Sequence, residues 1–337
     1  MRASLRDLLA TDRILLADGA TGTNYFRRGL QSGEPPEFWN FQHPERVYSL
    51  HRRFVDSGSD LILTNTFGCN RNRLKLHRAE DQVFDIAKRA ASIAAEVVDE
   101  CERPVVVAGS VGPTGELFEP LGALTHAEAV AAFREQMEGL AAGGVDLAWI
   151  ETMSSAEEIR AAAMAAIQVG LPYVVTCSFD TAGRTMMGLL PQDLGSLFAE
   201  LDEQPLAIGG NCGVGAPDLM ASILAMGDRE PERALVAKAN CGVPRFQGTE
   251  IEYSGTPELM AIYAQLAADA GVRIVGGCCG TSPEHLAAMR VALDEWVPCE
   301  RPTVHDIVAR IGPLTNALPG TEPSRRRERT RDRRAAT

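Results

Sequence analysis

The sequence predicts a single (β/α)8 barrel, and three observations carry that prediction. Eight short β-rich runs alternate with helical stretches, the runs are apolar enough to be buried on both faces, and seven of the eight end in polar or Gly-rich sequence. At 337 residues the chain exceeds the roughly 250 that such a barrel needs. A doubly wound open sheet is the competing architecture. It loses because polar ends on nearly every run are what one rim of a closed barrel requires when that rim forms a single site.

The strand runs fall at 14–17, 61–64, 105–108, 147–150, 173–177, 206–209, 234–237 and 273–275. Helical periodicity covers 45–57, 82–100, 126–142, 156–169, 217–225, 257–270 and 283–295. Several of these open on proline, which a first turn tolerates because that N–H has no partner there. Residues 24–43, with Pro35, Pro36 and Trp39, make a long first connection placed to cover the rim. Residues 301–320 read as a wrap or linker, so the barrel domain is assigned to 1–320. Residues 321–337 read as a basic disordered tail, because 325–334 carries seven arginines against Glu328 and Asp332 without apolar periodicity.

Composition narrows the function classes. The 45% hydrophobic and 6% aromatic content is that of an ordinary globular protein, and no run approaches the roughly 20 apolar residues of a membrane span. The N-terminus carries charges at Asp7, Asp12 and Arg13 instead of an apolar signal region, so export is disfavoured and a cytoplasmic location is expected. Eight cysteines in that setting act as core residues, ligands or nucleophiles rather than as disulfides. A net charge of -12 argues against nucleic acid as a partner and leaves small molecules, with homo-oligomerisation compatible.

The chemistry gathers on cysteines. Cys278 and Cys279 are adjacent in Gly276-Gly277-Cys278-Cys279-Gly280-Thr281, and Cys212 lies in Gly210-Asn211-Cys212-Gly213. Neighbouring cysteines are awkward as a disulfide, whereas three thiolates on Gly-rich turns can hold one zinc and leave its fourth position open. Cys212 ends the sixth strand and Cys278 and Cys279 end the eighth, so a barrel brings them to one rim. Asp18 and Gly19 end the first strand, Asn65 the second and Glu151 the fourth. Cys101, Cys177 and Cys299 read as small core residues. Cys69 and Cys241 lie near the rim, but Cys241 as a fourth ligand would close the site to substrate.

Six segments, Asp18-Gly19-Ala20-Thr21-Gly22-Thr23, Thr64-Asn65-Thr66-Phe67, Gly109-Ser110-Val111-Gly112-Pro113, Ile150-Glu151-Thr152, Gly210-Asn211-Cys212 and the Cys278-Cys279 run, resemble the zinc-dependent homocysteine S-methyltransferase family. The resemblance covers about residues 10–295 in the same order, and Leu16 to Asn40 looks most like bacterial members of the betaine-dependent branch. It implies that Cys212, Cys278 and Cys279 bind Zn2+ and that homocysteine sulfur takes the open position. It further implies that Asp18, the Gly19 backbone and Glu151 hold the amino end of homocysteine, with Asn211 donating to the thiolates. For a quaternary ammonium donor, Trp39, Phe67 and Tyr25 offer aromatic faces, with lid or core packing as the other reading of Trp39 and Phe67. The expected reaction is methyl transfer from betaine to homocysteine, giving methionine. The alternatives are the same acceptor with S-methylmethionine, dimethylsulfoniopropionate, S-adenosylmethionine or a separate corrinoid protein as donor, or a non-catalytic zinc- or thiol-binding protein.

Overall fold

The computed structural model describes residues 2–316 apart from 243, 248 and 249, with only the backbone described at 244–247 and 250–252. Residues 321–337, read from sequence as a tail, lie outside the described residues. Eight parallel strands run β1 Leu15–Leu16, β2 Leu61–Leu63, β3 Val106–Val111, β4 Leu147–Met153, β5 Tyr173–Cys177, β6 Ala207–Cys212, β7 Leu235–Ala239 and β8 Val272–Gly277. Their spatial order is β1-β8-β7-β6-β5-β4-β3-β2, and a parallel bridge from Ala17 to Leu61 brings β1 back to β2. The predicted (β/α)8 barrel is therefore the fold. All eight predicted runs are strands, although β1 is shorter than expected and β3, β4 and β6 extend further at the rim that carries the polar residues.

Two apolar layers follow from the alternation of side chains along each strand. Leu15, Leu61, Val106, Leu147, Trp149, Val236 and Ile274 fill the barrel interior. Leu16, Ile62, Val107, Ile150, Val175, Ile208 and Val275 point the other way and pack under the helices. The helices start where local chemistry starts them. Thr125 and Glu128 form a capping box for His126–Gly143, and Ser155 caps Ala156–Val169 through the Glu158 N–H.

Three features depart from the sequence reading. Residues 301–320 are not simply a linker, because Val304–Ile311 is a helix capped by Thr303 that buries Ile307 and Ile311. An antiparallel hairpin, Pro244–Gln247 with Glu250–Tyr253, follows β7. Among the described residues the segment after β5 holds only short 3-10 turns, at Pro191–Asp193 and Gly195–Phe198. No helix among them is long and apolar enough to cross a membrane.

Ladder register sets the height of every residue at the rim. Asn211 pairs with Lys238 and Lys238 with Gly276; one step further on, Cys212 pairs with Ala239 and Ala239 with Gly277. Cys212 at the end of β6 and the cysteines just after β8 are thus delivered to the same rim from strands two positions apart.

Candidate metal and substrate site

The sulfurs of Cys212, Cys278 and Cys279 all lie within 4.8 Å of one another, and among the described residues this is the one cluster of three or more metal-ligating side chains. The Cys212 and Cys279 sulfurs are 3.9 Å apart. A tetrahedral site with Zn–S bonds of about 2.3 Å requires S···S separations of about 3.8 Å, so the Cys212–Cys279 pair is at the spacing such an ion needs. Hydrogen bonding among the thiols pulls Cys212 and Cys279 each down through one partner and up through the other; with burial the balance puts both at about 12. A crowded trio that holds its protons until a cation replaces them is a donor set matched to a thiophilic metal.

Tight backbone makes the cluster possible. Cys212 sits at φ 60° and Gly280 at φ 82°, both in the left-handed region. The turn after β8 is held by Cys278 N–H to Ala239 O at 2.7 Å and Thr281 N–H to Cys278 O at 3.0 Å. A Cβ on Gly19 would lie 2.7 Å from Thr281 O, so only glycine lets the end of β1 approach the cysteine turn this closely.

Asn211 braces the trio from below. It is fully buried; its Oδ1 accepts from the Thr152 N–H at 2.9 Å, and its Nδ2 donates to Thr152 Oγ1 at 2.7 Å and to Cys278 Sγ at 3.8 Å. Thr152 is a β-branched residue at φ 60°, a conformation that must be held by its surroundings, and this two-point clamp holds it. The Tyr253 ring, from the hairpin, lies against the turn at Gly280 on the other side, and burial with the neighbouring thiols raises its pKa.

The two carboxylates expected to read an amino group differ in what they already bind. Glu151 accepts from Ser110 Oγ at 2.5 Å, and burial raises its pKa against the opposing pull of Lys238 and Ser110. Asp18 is engaged at both oxygens, Oδ1 by Lys238 Nζ at 2.8 Å and Oδ2 by the Leu63 N–H at 2.7 Å. Lys238 is 2% exposed; burial alone would lower its pKa, but Asp18 and Glu151 hold it above the usual range, so it stays charged. Lys238 and Tyr253 were not singled out from the sequence, and Ser110 and Thr152 stood there only within the segments that carry the resemblance. Lys238 had a signal there, since one lysine inside the buried run Leu235-Val236-Ala237-Lys238-Ala239 demands a partner.

A cleft of about 830 Å³ opens from Cys212 and Thr152 along the loops after β3, β4 and β5, a size suited to a small ligand. Phe67, half-buried, lines it, as do the carboxylates of Glu116, Glu119, Glu157 and Asp180. Asn65 lies two residues beyond β2 and ties the first connection down through Pro36 O at 2.7 Å rather than lining the cleft. The structure places Trp39 and Tyr25, offered by the sequence as aromatic faces for a cation, in the first connection away from the cleft. Both are buried, stacked at 5.1 Å, and absent from the cleft wall, and the Trp39 ring already carries the Arg46 guanidinium at 4.9 Å. Cys69 and Cys241 lie outside the metal cluster.

The model of one family, homocysteine S-methyltransferase, matches residues 15–293. The chain belongs to that family. It is 32% identical to the methionine synthase of Mycobacterium leprae over 310 residues, covering 85% of this chain and 25% of that protein. The Mycobacterium tuberculosis methionine synthase is 29% identical over 336 residues, covering 94% and 27%. The chain thus spans about a quarter of the length of these relatives. The metallated form of the homocysteine methyltransferase MmuM from Escherichia coli shares the fold, with TM-score 0.72 and 23% identity over 85% of this chain and 99% of that one. The family resemblance read from the six segments is borne out; these matches do not distinguish among methyl donors.

Proposed function

We propose that this methyltransferase binds zinc through Cys212, Cys278 and Cys279 and moves a methyl group from betaine to homocysteine, forming methionine in a reducing cytoplasm. The observation that carries the reading is the thiol trio opening, through Cys212, onto a cleft with room for a small donor. When bound, zinc supplies an open coordination position and favours the ionised form of a substrate thiol, whose ordinary pKa is about 8.5.

Around that position the chain's own residues bind and orient. Glu151 accepts a hydrogen bond from the homocysteine ammonium while Ser110 fixes its carboxylate. Asn211 holds Cys278 and the Thr152 turn in place. Phe67 and the cleft carboxylates receive the cationic donor, an aromatic face being worth about 0.5–2 kcal/mol to a quaternary ammonium. Homocysteine sulfur forms the new S–CH3 bond as the donor's N–CH3 bond breaks, and the nitrogen keeps the bonding pair and leaves as a neutral tertiary amine. No acid or base acts on the methyl carbon, so the reaction needs no Ser-His-Asp arrangement.

A second reading, methyl delivery by a separate corrinoid protein, is favoured by one observation: Leu121 and Met186 are each 73% exposed on the lip of the cleft. Both readings are tested by incubating zinc-loaded protein with homocysteine and, separately, betaine, S-methylmethionine, dimethylsulfoniopropionate, S-adenosylmethionine or a methylated corrinoid protein, and quantifying methionine by mass spectrometry. Methionine formed most efficiently from betaine is expected. A better sulfonium donor overturns the betaine assignment alone, and methionine formed only with the corrinoid protein establishes the second reading.

A further inference from the structure

The cleft that opens from Cys212 is acidic. Among the described residues Glu116, Glu119, Glu157, Glu158, Asp180 and Asp193 line it against one cation, Arg73. Arg73 reaches the cleft from the short helix Arg71–Leu74 after β2, half-buried, with its guanidinium laid over the turn at Gly115. A Cβ on Gly115 would sit 3.3 Å from Arg73 Nη1, so the glycine leaves the space this group takes up. An arginine among so many acids is expected to pair. Its backbone N–H bonds to Asn70, yet among the described residues its guanidinium makes no hydrogen bond or ion pair. The acids around it are already served. Glu158 Oε1 accepts from the Thr114 N–H and hydroxyl at 2.8 and 2.6 Å, Glu37 Oε1 accepts from the Gly68 N–H at 2.6 Å, and Glu116 pairs with Lys75 at 2.5 Å. A planar fork of N–H donors is left on the cleft wall with nothing of the chain's own to bind.

Resting on the reading of betaine as donor, we propose that Arg73 binds the carboxylate of the methyl donor and thereby makes that carboxylate a requirement of the site. Betaine carries a trimethylammonium and a carboxylate one methylene apart. Acidic walls attract the first and repel the second, so the carboxylates alone would favour a simple cation such as choline. Arg73 reverses that preference at one point of the wall, because a guanidinium grips a carboxylate through two parallel N–H···O bonds. The aromatic face for the other end is close by. A Cβ on Gly112 would lie 2.7 Å from the Phe67 ring, so Phe67 and Arg73 flank two glycines that are three residues, at most about 11 Å, apart. A donor held at both ends is oriented as well as concentrated, which is what an in-line methyl transfer needs.

The test compares betaine with its carboxamide, which keeps the trimethylammonium and the shape but carries no negative charge. The ratio of kcat/KM for the two donors is measured as methionine formed by the zinc-loaded protein, and their intrinsic reactivities cancel when wild type and variant are compared. Arg73→Ala is expected to lower the ratio about tenfold or more, the cost of a charge-assisted hydrogen bond, while KM for homocysteine stays within about twofold. Arg73→Lys keeps the charge but not the fork, and its ratio is expected to fall between the two. Should Arg73→Ala prevent folding, Arg73→Gln carries the same expectation. An arginine that only props the turn at Gly115 would slow both donors alike, so an unaltered ratio overturns the proposal, as does a KM for homocysteine that rises as much as the donor's. Wild-type protein that forms methionine from a sulfonium donor but not from betaine overturns the betaine reading alone, and the same ratio taken with that donor and its carboxamide then decides the role of Arg73. Methionine formed only with a methylated corrinoid protein overturns both.

Discussion

Replacing Asn211 by alanine strikes the brace of the cysteine cluster without touching a cysteine. The asparagine is fully buried and satisfies both the Thr152 N–H and its hydroxyl, at 2.9 and 2.7 Å. Asn211→Ala leaves the part-buried Thr152 N–H and hydroxyl without those partners; at about 1–3 kcal/mol for each group cut off from water, the loss to the fold is at most roughly 2–6 kcal/mol. It also removes the only described donor to Cys278 Sγ from Asn211's strand, and losing such an outer partner typically weakens metal binding about 10- to 100-fold. Asn211→Asp separates the two effects: a carboxylate still accepts from the Thr152 N–H but cannot donate to the thiolate. Urea denaturation gives the first quantity, and competition for zinc with a chromophoric chelator gives the second. An Asn211→Ala protein with wild-type stability and zinc affinity would show that the clamp holds neither Thr152 nor the cluster.

Gly280→Ala should cut metal occupancy sharply, because φ 82° costs a residue with a Cβ about 1–3 kcal/mol and that Cβ would sit 2.3 Å from the Tyr253 ring; full metal content by atomic absorption contradicts this. Cys279→Ala should abolish stoichiometric zinc while Cys241→Ala keeps it, and zinc lost in the Cys241 variant alone would mean that the ligand trio is wrong. His51 is fully buried with no partner on either nitrogen among the described residues, and burial lowers its pKa from 6.5 to about 4. Its neutral form is the folded one, so its contribution is present above the unfolded pKa near 6.5 and is lost as pH falls through about 4, at most roughly 3 kcal/mol. His51→Leu should therefore flatten the fall in denaturation midpoint between about pH 7 and pH 4.5, and an unchanged slope refutes the assignment.

The barrel was legible because strand runs and helical periodicity are local signals, and Gly-rich or polar residues at strand ends mark a rim whichever strand they follow. The Val304–Ile311 helix was missed although Thr303 with Asp306 writes a capping box, because the helix spans only 8 residues and its periodicity is short. Side-chain partners across the barrel were not legible. Asp18 reads as a free strand-end acid until β7 is seen to send Lys238 over Gly276 to meet it. Trp39 reads equally as a lid or a core residue, and the Tyr25 ring and Arg46 guanidinium packed against it are visible only in the structure. Thr152 carries no sign in sequence that it would adopt φ 60°; that conformation is imposed by Asn211 from a strand about 60 residues away.

The central claim is that three cysteines hold zinc with one position reserved for the sulfur of homocysteine. X-ray absorption at the zinc edge of the loaded protein, before and after homocysteine is added, tests it most directly. The account predicts three sulfur neighbours at about 2.3 Å with one lighter ligand, and four sulfurs once homocysteine is bound. Four sulfurs before substrate is added, or a sulfur count that homocysteine leaves at three, contradicts it.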